Sequence, residues 1–169
     1  MTVFFTSDHH FSHTNIIKYC DRPFINSFEM DQKLISNWNS VVQKGDIVYH
    51  LGDFMFWRKT DYDADHYLSN LNGNKILITG NHDRESTINA KGWKEVHRTI
   101  HETKINDQFI VMCHYSMQTW NGSHHNSWHL FGHSHGKLPG IGKSFDVGVD
   151  SWNYTPISFE QVKEKMNSL

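Results

Sequence analysis

Five short apolar runs in this chain each end on aspartate, asparagine or histidine. Val3–Thr6 leads into Ser7-Asp8-His9-His10, Ile47–Leu51 into Gly52-Asp53, and Lys75–Thr79 into Gly80-Asn81-His82-Asp83. Phe109–Cys113 leads into His114, and Trp128–Phe131 into Gly132-His133-Ser134-His135. The runs are strand-length and rich in β-branched and aromatic residues. Most lack polar alternation, so they read as strands covered on both faces. Between the first two, Phe28, Asp31, Leu34, Ile35, Trp38 and Val42 recur at helical steps, with Ser27 as N-cap. Asp61–Leu71 reads as a second helix, and Asn72-Gly73-Asn74 as the turn into the third strand. This βαβ order predicts an α/β fold whose polar run-ends gather at the carboxyl edge of a sheet, where such folds bind ligands.

The second half is richer in strands. Val96–Ile105 and Gln108–Met112 flank Asn106-Asp107, a hairpin turn. Ser144–Val149 is a further strand, and Ser158–Met166 a closing amphipathic helix after Pro156. No repeat, low-complexity tract or linker interrupts the chain. Residues 1–169 therefore read as a single domain, at an ordinary domain length. With 37% apolar and 20% charged residues the composition is that of a globular protein. No apolar run approaches a membrane span, and Met1–Phe5 reaches Asp8 too soon for a signal peptide. A net charge of −2 argues against an extended nucleic-acid surface. Two cysteines, Cys20 and Cys113, suit a reducing compartment, so the expected location is cytoplasmic.

The residue types at the run-ends point to metal. The chain has 14 histidines against 16 lysines and arginines together, and histidine is the commonest metal ligand. Asp, Asn and His without a thiolate suit Mn²⁺, Fe or Zn²⁺. Asp8-x-His10 and His133-x-His135 are i, i+2 pairs, and on an extended segment both members point to the same side. Seven candidate ligands are too many for one ion and fit two ions that share a carboxylate.

In this order the motifs resemble those of the calcineurin-like metallophosphoesterase superfamily, in its small, cap-less bacterial and phage form. D-x-H is present as Asp8/His10, GD as Gly52-Asp53, GNHD as Gly80–Asp83, a lone His as His114 and GHxH as Gly132–His135. The resemblance runs from Val3 to about Asp150, and the tail from Gly148 to Pro156 is similar to that of small members. It implies a four-layer α/β/β/α sandwich with a dinuclear metal centre. Asp8, His10, Asp53 and His135 would hold one metal, and Asp53, Asn81, His114 and His133 the other. Mn²⁺ leads the expected ions, with Fe, Zn²⁺ and Ni²⁺ as alternatives. His82 matches the family's non-ligand histidine facing the scissile phosphate.

The implied activity is hydrolysis of phosphoesters. The preferred reading is a phosphodiesterase on small nucleotide-type diesters. A phosphomonoesterase or protein phosphatase is the alternative, and a non-catalytic metal-binding scaffold the rival from another class. Two cations about 3.5–4 Å apart neutralise phosphate oxygens, and a bridging water gives up a proton to become the nucleophile. His82 is then the general acid. Asp83 is read as orienting His82 or a ligand, Arg84 as reaching a non-bridging phosphate oxygen, and His13 as lining the pocket. Other features have plainer readings. Gly45-Asp46 is a turn, because it precedes a strand. His9 points away from Asp8 and His10, His50 packs within a strand, and Trp57 and Trp120 lie in loops near the metal edge, where they are read mainly as core. No partner but a small phosphoester is implied, and oligomeric state is not readable.

Overall fold

The computed structural model describes residues 1–56 and 62–169. Trp57 and the first residue of the Asp61–Leu71 helix lie outside the described residues. Two sheets pack face to face. The first runs β4(Trp93–His97)-β3(Asn74–Ile78)-β2(Ile47–His50)-β1(Val3–Thr6)-β9(Ile157–Ser158), with β1 to β4 parallel and β9 antiparallel. The second runs β5(Ile100–Ile105)-β6(Gln108–Cys113)-β7(Trp128–Phe131)-β8(Ser144–Asp146); β5 and β6 form an antiparallel hairpin and the rest is parallel.

The period-two geometry of a strand assigns neighbouring residues to different layers. In β1, Phe4 joins the core under the helices, with Met30, Leu34 and Trp38 of α2(Ser27–Val41) and Tyr67 and Leu68 of α3(Ala64–Asn70). The next residue, Phe5, faces the other way, into a core between the sheets with Ile110, Met112, Leu130 and Phe145. Phe159, Val162 and Met166 of α5(Phe159–Asn167) join that second core. Two sheets flanked by helices give the expected α/β/β/α sandwich. Burial on both faces explains why the strands read as unbroken apolar runs.

Several local readings shift. The α2 cap is Asn26, whose side chain accepts the Glu29 amide, one residue before the expected Ser27. Phe28 is exposed, whereas Asp31 is buried and accepts both the Ser12 amide and the Tyr67 hydroxyl. The single run expected over Val96–Ile105 divides. Trp93–His97 pairs with β3 in the first sheet, and Ile100–Ile105 starts the second, because Trp93 anchors in the helix-side core. The hairpin turn at Asn106-Asp107 is as expected, with both residues at positive φ (48° and 67°). Two helices carry no clear sequence period: α1(Thr14–Tyr19) and α4(Glu85–Ile88). Among the described residues no helix is long and apolar enough to cross a membrane.

Candidate metal centre

The carboxyl ends of β1, β2, β3, β6 and β7 meet in one cleft. Ligand atoms of Asp8, His10 and His135 lie within 4.8 Å of one another, and so do those of Asp53, His114 and His133. One oxygen joins the two groups. Asp53 Oδ2 is 3.5 Å from His10 Nε2 and 3.4 Å from His114 Nε2. The other oxygen, Oδ1, accepts the His82 amide at 2.9 Å. Asn81 Oδ1 lies 3.1 Å from His114 Nε2. That spacing suits two donors on one cation, since ligand bonds of about 2.0–2.2 Å at right angles leave about 3 Å between donors.

The chain presents the lone pairs deliberately. His114 Nδ1 lies 2.7 Å from the Leu51 carbonyl, which can only accept, so Nδ1 carries the proton and Nε2 is left as the donor atom. His135 Nδ1 meets Asp150 Oδ2 at 2.7 Å, which frees its Nε2 in the same way. Both ring nitrogens of buried His10 lack a hydrogen-bond partner, an arrangement that costs free energy unless something else binds there. Buried carboxylates facing buried, partnerless imidazole nitrogens form a donor set that fits divalent cations.

The electrostatics agree. Burial pushes the Asp8 carboxyl up to about 7, against the pull of His114 and His135. Burial also opposes the charge on Asp53, but His114 and His10 outweigh it and hold that carboxyl below the ordinary range. For His114 burial disfavours the imidazolium, and the Asp53 carboxylate beside it prevails, raising it to about 9. Burial keeps His10 neutral. In the metal-free chain protons therefore sit between these groups, and cation binding must release them.

Backbone strain shapes the centre. Asp8, His10, Asp53, His133 and His135 all have positive φ, between 49° and 66°, a region that non-glycine residues seldom adopt. The i, i+2 pairs thus do not lie on extended segments as expected. They converge through left-handed bends on either side of His9 and Ser134. Glycines permit the close approach. A Cβ on Gly132 would stand 2.4 Å from Ser7 Oγ and 2.6 Å from Asp8 Oδ2. Gly52, at φ +93°, would place one 2.4 Å from the Gly80 nitrogen.

Four residues brace these bends. The Arg22 guanidinium donates to the carbonyls of Asp8 (2.7 Å) and His9 (2.9 Å) and forks onto both oxygens of Asp150 (2.8 and 2.7 Å). Asp150 in turn holds His135. Asp146 accepts the Ser134 hydroxyl and the Gly136 amide, fixing the loop that carries His133 and His135. Asp83 accepts the amides of Asp53, Gly80 and Phe54. Both its oxygens are thus engaged on backbone rather than on the His82 ring, so it ties two ligand loops together. The sequence assigned no role to Asp146, Asp150 or Arg22; the available signal was the pair of aspartates at the end of β8 and just after it, Asp146 and Asp150.

The remaining expected site residues divide. His82 is exposed, and its ring lies 5.4 Å from that of His10. His13 lines the adjoining cavity, stacked on Phe56. Arg84 is exposed at the N-cap of α4 and is not among the residues lining that cavity. His9 and His50 are buried and face each other, with His50 Nε2 3.0 Å from His9 Nδ1. Trp120 donates to the Ser127 carbonyl and lies against His129, outside the cleft. Asp46 accepts the amides of Thr2 and Gln43, as a turn residue does.

No family model matches the chain. An uncharacterized protein of Methanocaldococcus jannaschii, MJ1445, is 36% identical over 167 residues, which span 95% of this chain and 88% of that protein. The structure of a protein of unknown function from Aquifex aeolicus, AQ665, is 25% identical with a TM-score of 0.77, covering 97% of this chain and 98% of that one. A novel archaeal phosphodiesterase shares the fold at a TM-score of 0.51 and 19% identity, over 88% of this chain and 82% of its own.

Proposed function

We propose that the chain is a metallophosphoesterase that hydrolyses phosphoesters with two divalent cations, a reading supported by the order of its motifs and by the fold it shares with an archaeal phosphodiesterase. Asp8, His10, Asp53 and His135 would hold one cation, and Asp53, Asn81, His114 and His133 the other. The observation that carries the reading is the Asp53 oxygen standing 3.5 and 3.4 Å from histidines of the two groups. Such a carboxylate suits a pair of ions better than one. Cations bound there would draw charge from the phosphoryl oxygens and make water acidic near neutral pH. A donor set of carboxylate, amide and imidazole suits Mn²⁺, Fe, Zn²⁺ or Ni²⁺, and Mn²⁺ is the ion the family resemblance puts first.

His82 supplies the proton. Its amide is anchored on Asp53, so the ring is held at a fixed offset from the shared carboxylate while its imidazole faces the open cavity. A protonated His82 donates to the departing alkoxide, a role worth roughly 10²–10⁴-fold. Asp83 contributes by fixing the Asp53 and Gly80 backbone rather than by touching substrate. The open cleft and single candidate acid favour a small nucleotide-type diester. A phosphomonoester is the second reading. Both cysteines are free, which supports a cytoplasmic setting.

The test is hydrolysis of bis(p-nitrophenyl) phosphate against p-nitrophenyl phosphate. Chelator-stripped protein is reloaded with Mn²⁺, Fe²⁺, Zn²⁺, Ni²⁺ or Mg²⁺. Metal-dependent turnover that favours the diester is the expected result. A monoester preference moves the assignment to the second reading. Two bound ions without turnover on either ester would make the chain a metal-binding scaffold.

A further inference from the structure

Beside the centre opens a cavity of about 480 Å³, within the size range that small-molecule sites occupy. Its walls are aromatic and apolar. Ile16 and Tyr19 come from α1, and Phe56 follows β2. The His13 ring lies flat on Phe56, with centroids 4.3 Å apart and planes 13° apart, and Tyr19 meets His13 edge-on at 6.3 Å. Asn15 and Lys137 bring polar groups to the same cavity. One face of Phe56 is taken up by His13, and the other, on the cavity side, can stack a planar ring whatever hydrogen-bonding pattern that ring carries.

The position of His82 gives this wall a direction. Its ring lies 6.1 Å from Phe56 and 6.2 Å from His13. A group that protonates the departing oxygen must stand beside it, so the departing arm begins next to His82 and extends along the Phe56–His13 face. Building on the phosphoesterase reading above, we infer that Phe56, His13 and Tyr19 select the leaving arm of the substrate, and that this arm carries a planar ring system of nucleobase size. The arm that stays on phosphorus points away from this wall and needs no ring.

A diester with two unlike arms separates the cases. Adenosine 5′-(methyl phosphate) can lose either of two primary alkoxides of comparable basicity. Departure of the ring-bearing arm gives adenosine and methyl phosphate. Departure of the other gives adenosine monophosphate and methanol. The expected products are adenosine and methyl phosphate. Phe56→Ala should raise KM for this substrate about tenfold to a hundredfold, the scale of one base–aromatic stack, at unchanged metal content. Phe56→Leu keeps apolar bulk without a flat face and should also raise KM. Adenosine monophosphate as the main product, an even mixture, or unchanged KM in both variants would overturn the inference. If the protein cleaves bis(p-nitrophenyl) phosphate but leaves the adenosine diester intact, only this inference falls. If it cleaves neither, the phosphoesterase reading falls first. Should Phe56→Ala fail to fold, the wild-type product ratio and Phe56→Leu decide.

Discussion

Replacing Arg22 with methionine should unfold the brace behind the metal centre while keeping the apolar stem. Arg22 is 3% exposed, and the change deletes five hydrogen bonds: two to Asp150, two to the carbonyls of Asp8 and His9, and a weak one to the Met30 sulfur. Removing one partner of a buried ion pair typically costs about 3–5 kcal/mol, because the other charge is stranded. Here His135 still reaches Asp150, which softens that part, but two carbonyls also lose their donor, at about 1–3 kcal/mol for each buried group left unsatisfied. The two carbonyls alone come to about 2–6 kcal/mol, which corresponds to a Tm lower by about 4–24 °C for a chain of this size. Metal affinity should fall as well, by about 10–100-fold, as for other groups that orient ligands from behind. Urea titration of chelator-treated protein reads the first effect, and calorimetric titration with Mn²⁺ the second. Asp150→Asn and the double variant complete a cycle that should give a coupling of about 0.5–3 kcal/mol. A loss below about 1 kcal/mol with wild-type Mn²⁺ affinity would refute the claim that Arg22 holds the bends.

Other outcomes follow from the same geometry. Asp53→Asn should cut hydrolysis by more than about a hundredfold, since even groups behind the ligands cost that much; metal analysis should show fewer ions per chain. His82→Ala should lower turnover of alkyl diesters by about 10²–10⁴-fold and p-nitrophenyl esters less, because p-nitrophenolate departs without a proton; equal losses would count against general acid catalysis. Gly132→Ala pushes a methyl into Ser7 and Asp8 and should weaken metal binding, as read by the same titration. Burial first, with a smaller opposing pull from Asp53, holds His50 near a pKa of 3 in the folded chain, against about 6.5 unfolded. The unfolded state therefore takes up this proton first, and the stability His50 confers is present above pH 6.5 and lost as pH falls toward 3. Urea titrations at pH 7.5 and 5.5 should show a steeper loss in wild type than in His50→Gln, by up to about 1.4 kcal/mol per pH unit.

The candidate donors were legible as a set because each closes an apolar run, and run-ends can be read without knowing the fold; the structure gathers them at one sheet edge. Asp53 was separable from Asp46 by the same rule, and Asp46 indeed binds turn amides. The means of convergence was not legible. Nothing local announces that Asp8 and His10 turn left-handed, because the cost is met by contacts remote in sequence: Arg22 reaches Asp150 across 128 positions. Asp83 looked chemical from its place in Gly80–Asp83, yet its work is on backbone amides that only the packed loops bring to it. The split of Val96–Ile105 between two sheets was hidden for a related reason. Strand propensity marks a run as extended but does not say which neighbour it will pair with.

The left-handed bends set stability and activity against each other. Each such residue costs on the order of 1–3 kcal/mol, and five of them carry candidate ligands. Glycine would sit comfortably at any of those positions, but it brings no donor atom. Mutational drift under selection for thermal endurance alone should therefore enrich glycine at positions 8, 10, 53, 133 and 135, yielding hardier descendants unable to bind metal. A library of glycine variants at these positions, screened first for heat resistance and then for metal uptake, would expose the trade-off.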